Sequence, residues 1–256
     1  IMMHSKFKTA ALQFTPPIII ELIKRVRREK GLLFDGNYLS WKSALEKSSG
    51  YDAENILNKV LDSTLKVQSG EAIFERDSVL FDKIQYSWPA LTGLLWAAAR
   101  NNGNLNILDF GGALGSSYFQ NRNFLSKLPQ LRWNIVEQSH YVRAGQQHIN
   151  NETIRFYESI EDCLKENKPN VVILSGVLQY LELPDNFIEK LSCIGSQIMI
   201  LDRTPTAAIV TNRLVIQHVP KSIYTASYPM WIFSRKELLS TLRKNWRIIA
   251  HDTGND

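Results

Sequence analysis

From Leu105 to His251 the chain changes rhythm, and short apolar runs begin to alternate with amphipathic stretches. "LNILDF", "RWNIVE", "IRFYE", "NVVILSG", "SQIMILDR", "RLVIQHV" and "WRIIAHD" read as strands, and residues 116–128, 139–149, 185–193 and 234–244 read as helices. Strands separated by helices pair in parallel, because each crossover has to carry the chain back across the sheet, and the helices then cover both faces. The expected fold is α/β, a Rossmann-like, doubly wound, mostly parallel sheet with helices on both faces.

Before residue 86 the pattern is helical, so residues 1–85 are expected to form a small helical N-terminal region and residues 86–256 the α/β domain. "PPIIIELIKRVRREKG" opens with proline and stops at Gly31, which predicts a basic helix over 17–30. Helices over 40–49 and 53–68 follow, the first capped by Ser40 and ended by Gly50, the second carrying Ile56, Leu57, Val60, Leu61 and Leu65 on one stripe. "WPALTGLLWAAARNNG" is the helix that opens the α/β domain.

Charge is unevenly placed. Residues 1–30 hold seven Lys/Arg against two Glu, and the remaining 226 residues hold 23 of each sign. The body is therefore neutral, which makes a long nucleic-acid backbone a poor partner. The basic helix packs on the domain as a surface helix or lies on an anionic membrane face. No apolar run is long enough for a membrane span. Cys163 and Cys193 lie far apart, and the five histidines form no HxxxH or HxH pair, so neither a disulfide framework nor a metal site is expected, and a reduced, cytoplasmic setting fits.

The chemistry is concentrated at "LDFGGALGSS". In a doubly wound sheet the ligand binds where a central strand turns into its helix, beyond the carboxyl ends of the strands. Gly111, Gly112 and Gly115 let a ligand approach bare backbone, and the next helix offers N–H groups near Ser116 and Ser117. The dinucleotide spacing GxGxxG fails, since Ala113 and Ser116 stand where glycines are required. The pattern acid-x-Gly-x-Gly-x-Gly of S-adenosylmethionine-dependent methyltransferases matches at Asp109, Gly111 and Gly115, with Ala113 in place of the middle glycine. An acid suits that cofactor, which carries an amino group and a sulfonium but no pyrophosphate.

Further positions follow from the register of later strands. Glu137 ends the second strand, where an acid can take both ribose hydroxyls. After the third strand, Ile160 would pack on an adenine while Glu158 or Ser159 meets its amino group. Ser175, Gly176 and Gln179 follow the fourth strand, near the methionine moiety. The Asn/Asp-Pro-Pro-aromatic motif of enzymes that methylate amino groups of DNA bases is absent, which argues against DNA.

"SWKSALEKSSGYD" (40–52), "LDFGGALGSSYFQNRNFL" (108–125), "WNIVEQ" (133–138), "IRFY" (154–157), "SGVLQYLELP" (175–184), "LDRTP" (201–205) and "YPMWIFSRKEL" (228–238) together resemble an uncharacterised family of methyltransferases met in bacterial surface-polysaccharide (O-antigen and capsule) gene clusters. The resemblance implies the class I methyltransferase fold, with a small-molecule or lipid-linked glycan as methyl acceptor. It carries no catalytic residues over. That fold normally adds a seventh strand paired with the sixth. Here "WRIIAHD" would be the sixth, and either the seventh lies beyond the chain or "RLVIQHV" supplies that edge.

Methyl transfer needs acceptor, methyl and sulfur in line, and a sugar hydroxyl also needs a general base. Asp202, in "ILDRTP", is the first candidate, against a structural pairing with Arg203. His218, in "VIQHVP", is the second, against a plain surface histidine. His140 falls nearer the adenosine. Tyr180, Tyr228 and Trp231 offer a wall for a sugar ring, and Arg203 and Arg213 offer contacts for an acidic sugar or diphosphate. The leading expectation is O-methylation of a sugar of a surface glycan or its precursor. The alternatives are a non-catalytic, cofactor-binding scaffold subunit and an RNA methyltransferase.

Overall fold

A computed structural model describes residues 33–49, 53–220 and 226–252 of the 256-residue chain. The expected basic helix over 17–30 and the helix end at Gly50 lie outside the described residues. The first part of the chain forms β1 (Leu33–Tyr38), α1 (Trp41–Lys47), α2 (Ala53–Ser69), a hairpin of β2 (Phe74–Arg76) and β3 (Val79–Phe81), and α3 (Trp88–Arg100). Then come β4 (Asn104–Phe110), α4 (Ser116–Leu125), β5 (Gln130–Val136), α5 (Ser139–His148), β6 (Ile154–Tyr157) and α6 (Ile160–Glu166). The last part holds β7 (Val171–Ser175), a 3-10 turn (Leu178–Tyr180), α7 (Pro184–Ser192), β8 (Ile198–Asp202), β9 (Thr206–Ala207), β10 (Arg213–Val219), β11 (Ala226–Ser234) and α8 (Arg235–Arg243).

The centre is a wholly parallel, five-stranded sheet in the order β6-β5-β4-β7-β8. The chain starts at β4, winds outward through β5 and β6, then returns to wind the other way through β7 and β8. This is the doubly wound, Rossmann-like arrangement, and its direction reverses between β4 and β7. Period-2 alternation sorts the strands onto two cores. Leu105, Ile107, Trp133, Ile135, Val171 and Ile173 face α2, α3, α4 and α5, while Leu108, Val136, Val172 and Leu174 face α6, α7 and α8. Both faces are covered, which is why these strands read as nearly continuous apolar runs.

A second, four-stranded sheet of order β1-β10-β11-β9 stands beside the first. "RLVIQHV" is β10, and it pairs antiparallel with β1 and β11 instead of closing the parallel sheet. "WRIIAHD" forms no strand: Trp246 N–H bonds the Leu242 carbonyl as the chain leaves α8, and Trp246 and Ile248 pack half-buried on the second core without a ladder partner. Residues 33–38, in the region expected to be helical, form the edge strand β1. Gly36 sits at φ +77 and the register slips between Asp35 and Tyr38, so the alternation that marks a strand is broken in the sequence, and pairing to β10 decides the structure. The region before residue 86 is therefore not all helical. Pro229 hides β11 in the same way, and it is tolerated because β9 reaches only Phe233 and Ser234.

Gly145, inside α5, shows how closely the layers meet. A Cβ there would lie 2.5 Å from the ring of Phe156, which is buried on β6. Alanine gains about 1 kcal/mol of helix propensity, but overpacking a rigid core costs about 1–3 kcal/mol. Gly145→Ala is therefore expected to lower stability by about 1 kcal/mol, measured as a fall in the urea midpoint at unchanged slope.

Candidate functional site

The glycine loop leaves the sheet at the reversal point between β4 and β7. Its bare positions have reasons inside the protein. A Cβ on Gly111 would run into Val177, one on Gly112 would lie 2.5 Å from the carboxyl of Asp109, and Gly115 turns the chain into α4 at φ +96. Ala113 takes φ +48 in the place of the pattern's middle glycine. No side chain caps α4, so its first N–H groups point into the loop region beside Ser116 and Ser117.

Three carboxyls surround this loop. Asp109, at 0% exposure, lies beneath Gly112, where Trp133 Nε1 donates to its Oδ2 at 2.7 Å and its Oδ1 has no partner. Desolvation raises its pKa to about 7, helped by the negative charge of Glu137 and opposed by the Trp133 hydrogen bond and by Arg203. Glu137 bends back over the loop, with Oε1 accepting from Ala113 N–H at 3.2 Å and Oε2 from Gln138 N–H at 2.7 Å. Burial draws its pKa upward, against those two backbone donors. The third is Glu75 on β2, only 1% exposed, which accepts a hydrogen bond from Ser116 Oγ and leaves Oε2 unpartnered. Its pKa is raised by desolvation and by Asp77, and lowered by Ser116, Ser78 and Arg203.

Glu75 is absent from the sequence expectations. Its only signal is "FERDSVLF", two short runs about Asp77 and Ser78, which take φ +52 and φ +67 as a two-residue hairpin turn requires. Asp-Ser replaces the Asn-Gly or Asp-Gly that announces such a turn, so the hairpin is nearly invisible beforehand. It lies across the mouth of the sheet. Glu75 meets Ser116 at the end of the glycine loop, Asp77 lies 3.9 Å from the Arg203 guanidinium, and the Ser78 carbonyl accepts from Ser63 on α2.

The mouth of β7 and β8 departs from expectation. Both oxygens of Asp202 are committed, Oδ1 to Ser87 Oγ and Oδ2 to Ser175 Oγ, each at 2.7 Å. Arg203 Nε lies 3.8 Å from the same carboxylate and donates to Ser175 Oγ at 3.2 Å. Asp202 thus pins α3 and β7 to β8, and each of its oxygens already accepts a hydroxyl hydrogen bond. His218 alternates with Gln217, and it shares a face with Leu214 and Ile216, toward α1 and away from the loop. It is misplaced for a base by one residue of register. The opposite face carries Gln217, whose Oε1 accepts from Tyr180 OH at 2.9 Å, and Tyr180 meets Tyr228 edge to face at 5.2 Å.

Other expected residues divide similarly. Gly176 stands at the mouth with φ +69, its N–H on the Asp202 carbonyl, and Gln179 is 5% exposed with an unpartnered Oε1. Ile160 is 4% exposed and belongs to the second core, while Ser159 caps α6 by accepting from Asp162 N–H at 3.0 Å. These two serve the fold, and Glu158 is exposed beside them. Trp231 stacks on Trp41 and donates to the Leu181 carbonyl, which removes it from a ligand wall, and Arg213 is held by the Gly36 carbonyl at 2.7 Å. Among the described residues no His/Cys/Asp/Glu group could hold a metal ion, and no helix is long and apolar enough to cross a membrane.

No protein-family model matches the chain, and no curated protein does. Solved structures do. The N-terminal domain of EvdMO1, in the presence of SAH and D-fucose, is 15% identical over 80% of this chain and 92% of its own, with a TM-score of 0.43. CalS10, an amino pentose methyltransferase from Micromonospora echinaspora, is 10% identical over 62% and 83%, with a TM-score of 0.42. KedS8, a sugar N-methyltransferase from Streptoalloteichus, is 11% identical over 63% and 79%, with a TM-score of 0.42. The fold of this chain rests on its own strand order.

The buried acid sets a pH dependence. The folded pKa of Asp109 stands above its ordinary value of 3.8, so its ionisation stabilises the unfolded chain, and stability drains away as pH rises from about 4 through about 7. Asp109→Asn keeps an oxygen for Trp133 and removes the charge. The variant is expected to be more stable than wild type at pH 8, by on the order of 4 kcal/mol, with the advantage gone near pH 4. Thermal melts of both proteins across that range check the sign.

Proposed function

We propose that this chain is an S-adenosylmethionine-dependent methyltransferase acting on a sugar hydroxyl of a surface glycan or its precursor. One observation carries the cofactor: three carboxyls with upward-shifted pKa values surround the glycine loop, and two of them, Asp109 and Glu75, keep an unpartnered buried oxygen. Such a cradle repels a pyrophosphate and favours a cation. A dinucleotide would need the reverse. The fit is supported by Glu137, whose oxygens retain accepting capacity for ribose hydroxyls, and by Gln179 beside Gly176 at the mouth of β7. When bound, the cofactor supplies a methyl group already activated on a positively charged sulfur.

For this chain the remaining task is to hold the acceptor. Tyr180 on the 3-10 turn meets Gln217 and Tyr228 of the second sheet, and together they bring aromatic rings and amide and hydroxyl groups into one uncharged set suited to a polyhydroxylated ring. The neutral body of the protein agrees with a sugar and disfavours RNA. The commitment of Asp202 to Ser87 and Ser175, and the outward placing of His218, favour one second reading, a cofactor-binding scaffold subunit without turnover.

Calorimetric titration of S-adenosylmethionine, S-adenosylhomocysteine and NADH tests the cofactor. The first two are expected to bind and the third not. Glu137→Ala is expected to weaken both by about ten- to a hundred-fold, the equivalent of about 1.5–3 kcal/mol of charged hydrogen bonding. Tight binding of NADH alone would overturn the reading. Methyl transfer to lipid-linked or nucleotide-linked sugars then separates the enzyme from the scaffold.

A further inference from the structure

The β2–β3 hairpin and the end of β8 bring together a buried carboxyl and a guanidinium that nothing in the sequence couples. Glu75 has one oxygen on Ser116 and the other unpartnered at 1% exposure. Arg203 stands in the left-handed region at φ +50, which costs a non-glycine residue about 1 kcal/mol or more. That conformation aims its side chain back over Gly176, where a Cβ would lie 3.6 Å from the guanidinium. Arg203 is also close enough to lower the pKa of both Glu75 and Asp109. Its carboxylate neighbours, Asp77 at 3.9 Å and Asp202 at 3.8 Å, are too distant for tight pairing.

The position of this pair is set by strand order. Glu137 follows β5, on one side of β4, and Arg203 follows β8, on the other side beyond β7. A ligand with its ribose at Glu137 and its long axis across the reversal point therefore extends toward Glu75 and Arg203. The group it presents there has to satisfy an acid and a base together. An α-amino acid end carries both an ammonium and a carboxylate on one carbon.

We propose that Glu75 and Arg203 form a clamp for the zwitterionic amino-acid end of the ligand, Glu75 taking the ammonium through Oε2 and Arg203 the carboxylate. The proposal rests on the cofactor reading above. It gives the N-terminal hairpin a direct part in binding and gives the strained backbone of Arg203 a purpose. It also moves Arg203 from the acceptor to the cofactor.

The test is a binding experiment that needs no turnover. S-adenosylhomocysteine, its desamino analogue and 5′-methylthioadenosine, which lacks the amino-acid end, are titrated into wild type, Glu75→Gln and Arg203→Gln. Wild type is expected to bind S-adenosylhomocysteine at least about tenfold tighter than 5′-methylthioadenosine. Each variant should lose about tenfold for S-adenosylhomocysteine and stay within about twofold for 5′-methylthioadenosine. Equal losses for both ligands, or no loss, overturn the clamp and leave the cofactor reading standing. Wild type binding none of the ligands overturns both. Should Glu75→Gln fail to fold, the desamino analogue on wild type decides: an affinity equal to that of S-adenosylhomocysteine overturns the clamp.

Discussion

A buried carboxyl at the centre of a parallel sheet, with one oxygen unpartnered, governs the upper half of this molecule. Asp109 ends the central strand facing the first core, and it stays there because Trp133, fully buried on the next strand, turns its indole N–H toward it. The loop above has to leave room, so Gly112 carries no side chain. Glu137 then folds over the same loop from the neighbouring strand, and its charge makes ionisation of Asp109 harder. Together they leave acid groups short of partners under a thin cover of backbone, at the place where such sheets take ligands.

The rim is built from distant parts of the chain. Ser87, before α3, and Ser175, at the end of β7, both donate to Asp202, so one carboxylate ties a helix start to two strand ends. The hairpin from residues 74–81 reaches across to the glycine loop. The second sheet adds Gln217 and Tyr228 opposite Tyr180. Asp202, partly buried, accepts two hydroxyl hydrogen bonds and so fixes the parts of the rim that donate them.

Much of this was legible in the sequence. The parallel strands, their order of appearance and the acid-glycine loop follow from apolar periodicity and from the turn chemistry of "LDFGGALGSS". What periodicity could not show is where it is deliberately broken. Gly36 and the register slip conceal β1, Pro229 conceals β11, and Asp77–Ser78 replace the usual turn residues between β2 and β3. "WRIIAHD" shows the opposite failure, a good strand pattern whose neighbours offer no ladder. The facing of His218 cannot be assigned before the pairing of β10 is known, since a shift of one residue exchanges His218 for Gln217. At Ser159 and Ile160 the position suits a ligand contact, but a strand end that begins a helix also has to supply a cap and a core residue, and these two residues do so.

The hairpin also bears on how the protein can be taken apart. Composition suggests a cut near residue 86, between a helical preface and an α/β body. Yet β1 is hydrogen-bonded to β10, Ser49 meets Ser227, and Glu75 meets Ser116, so contacts cross that line at the second sheet and at the glycine loop. A fragment beginning at residue 86 would retain all five parallel strands and lose one wall of its own crevice, along with the partner that keeps β10 from being an open edge. The smallest piece that preserves the crevice is therefore set by the hairpin rather than by the sheet.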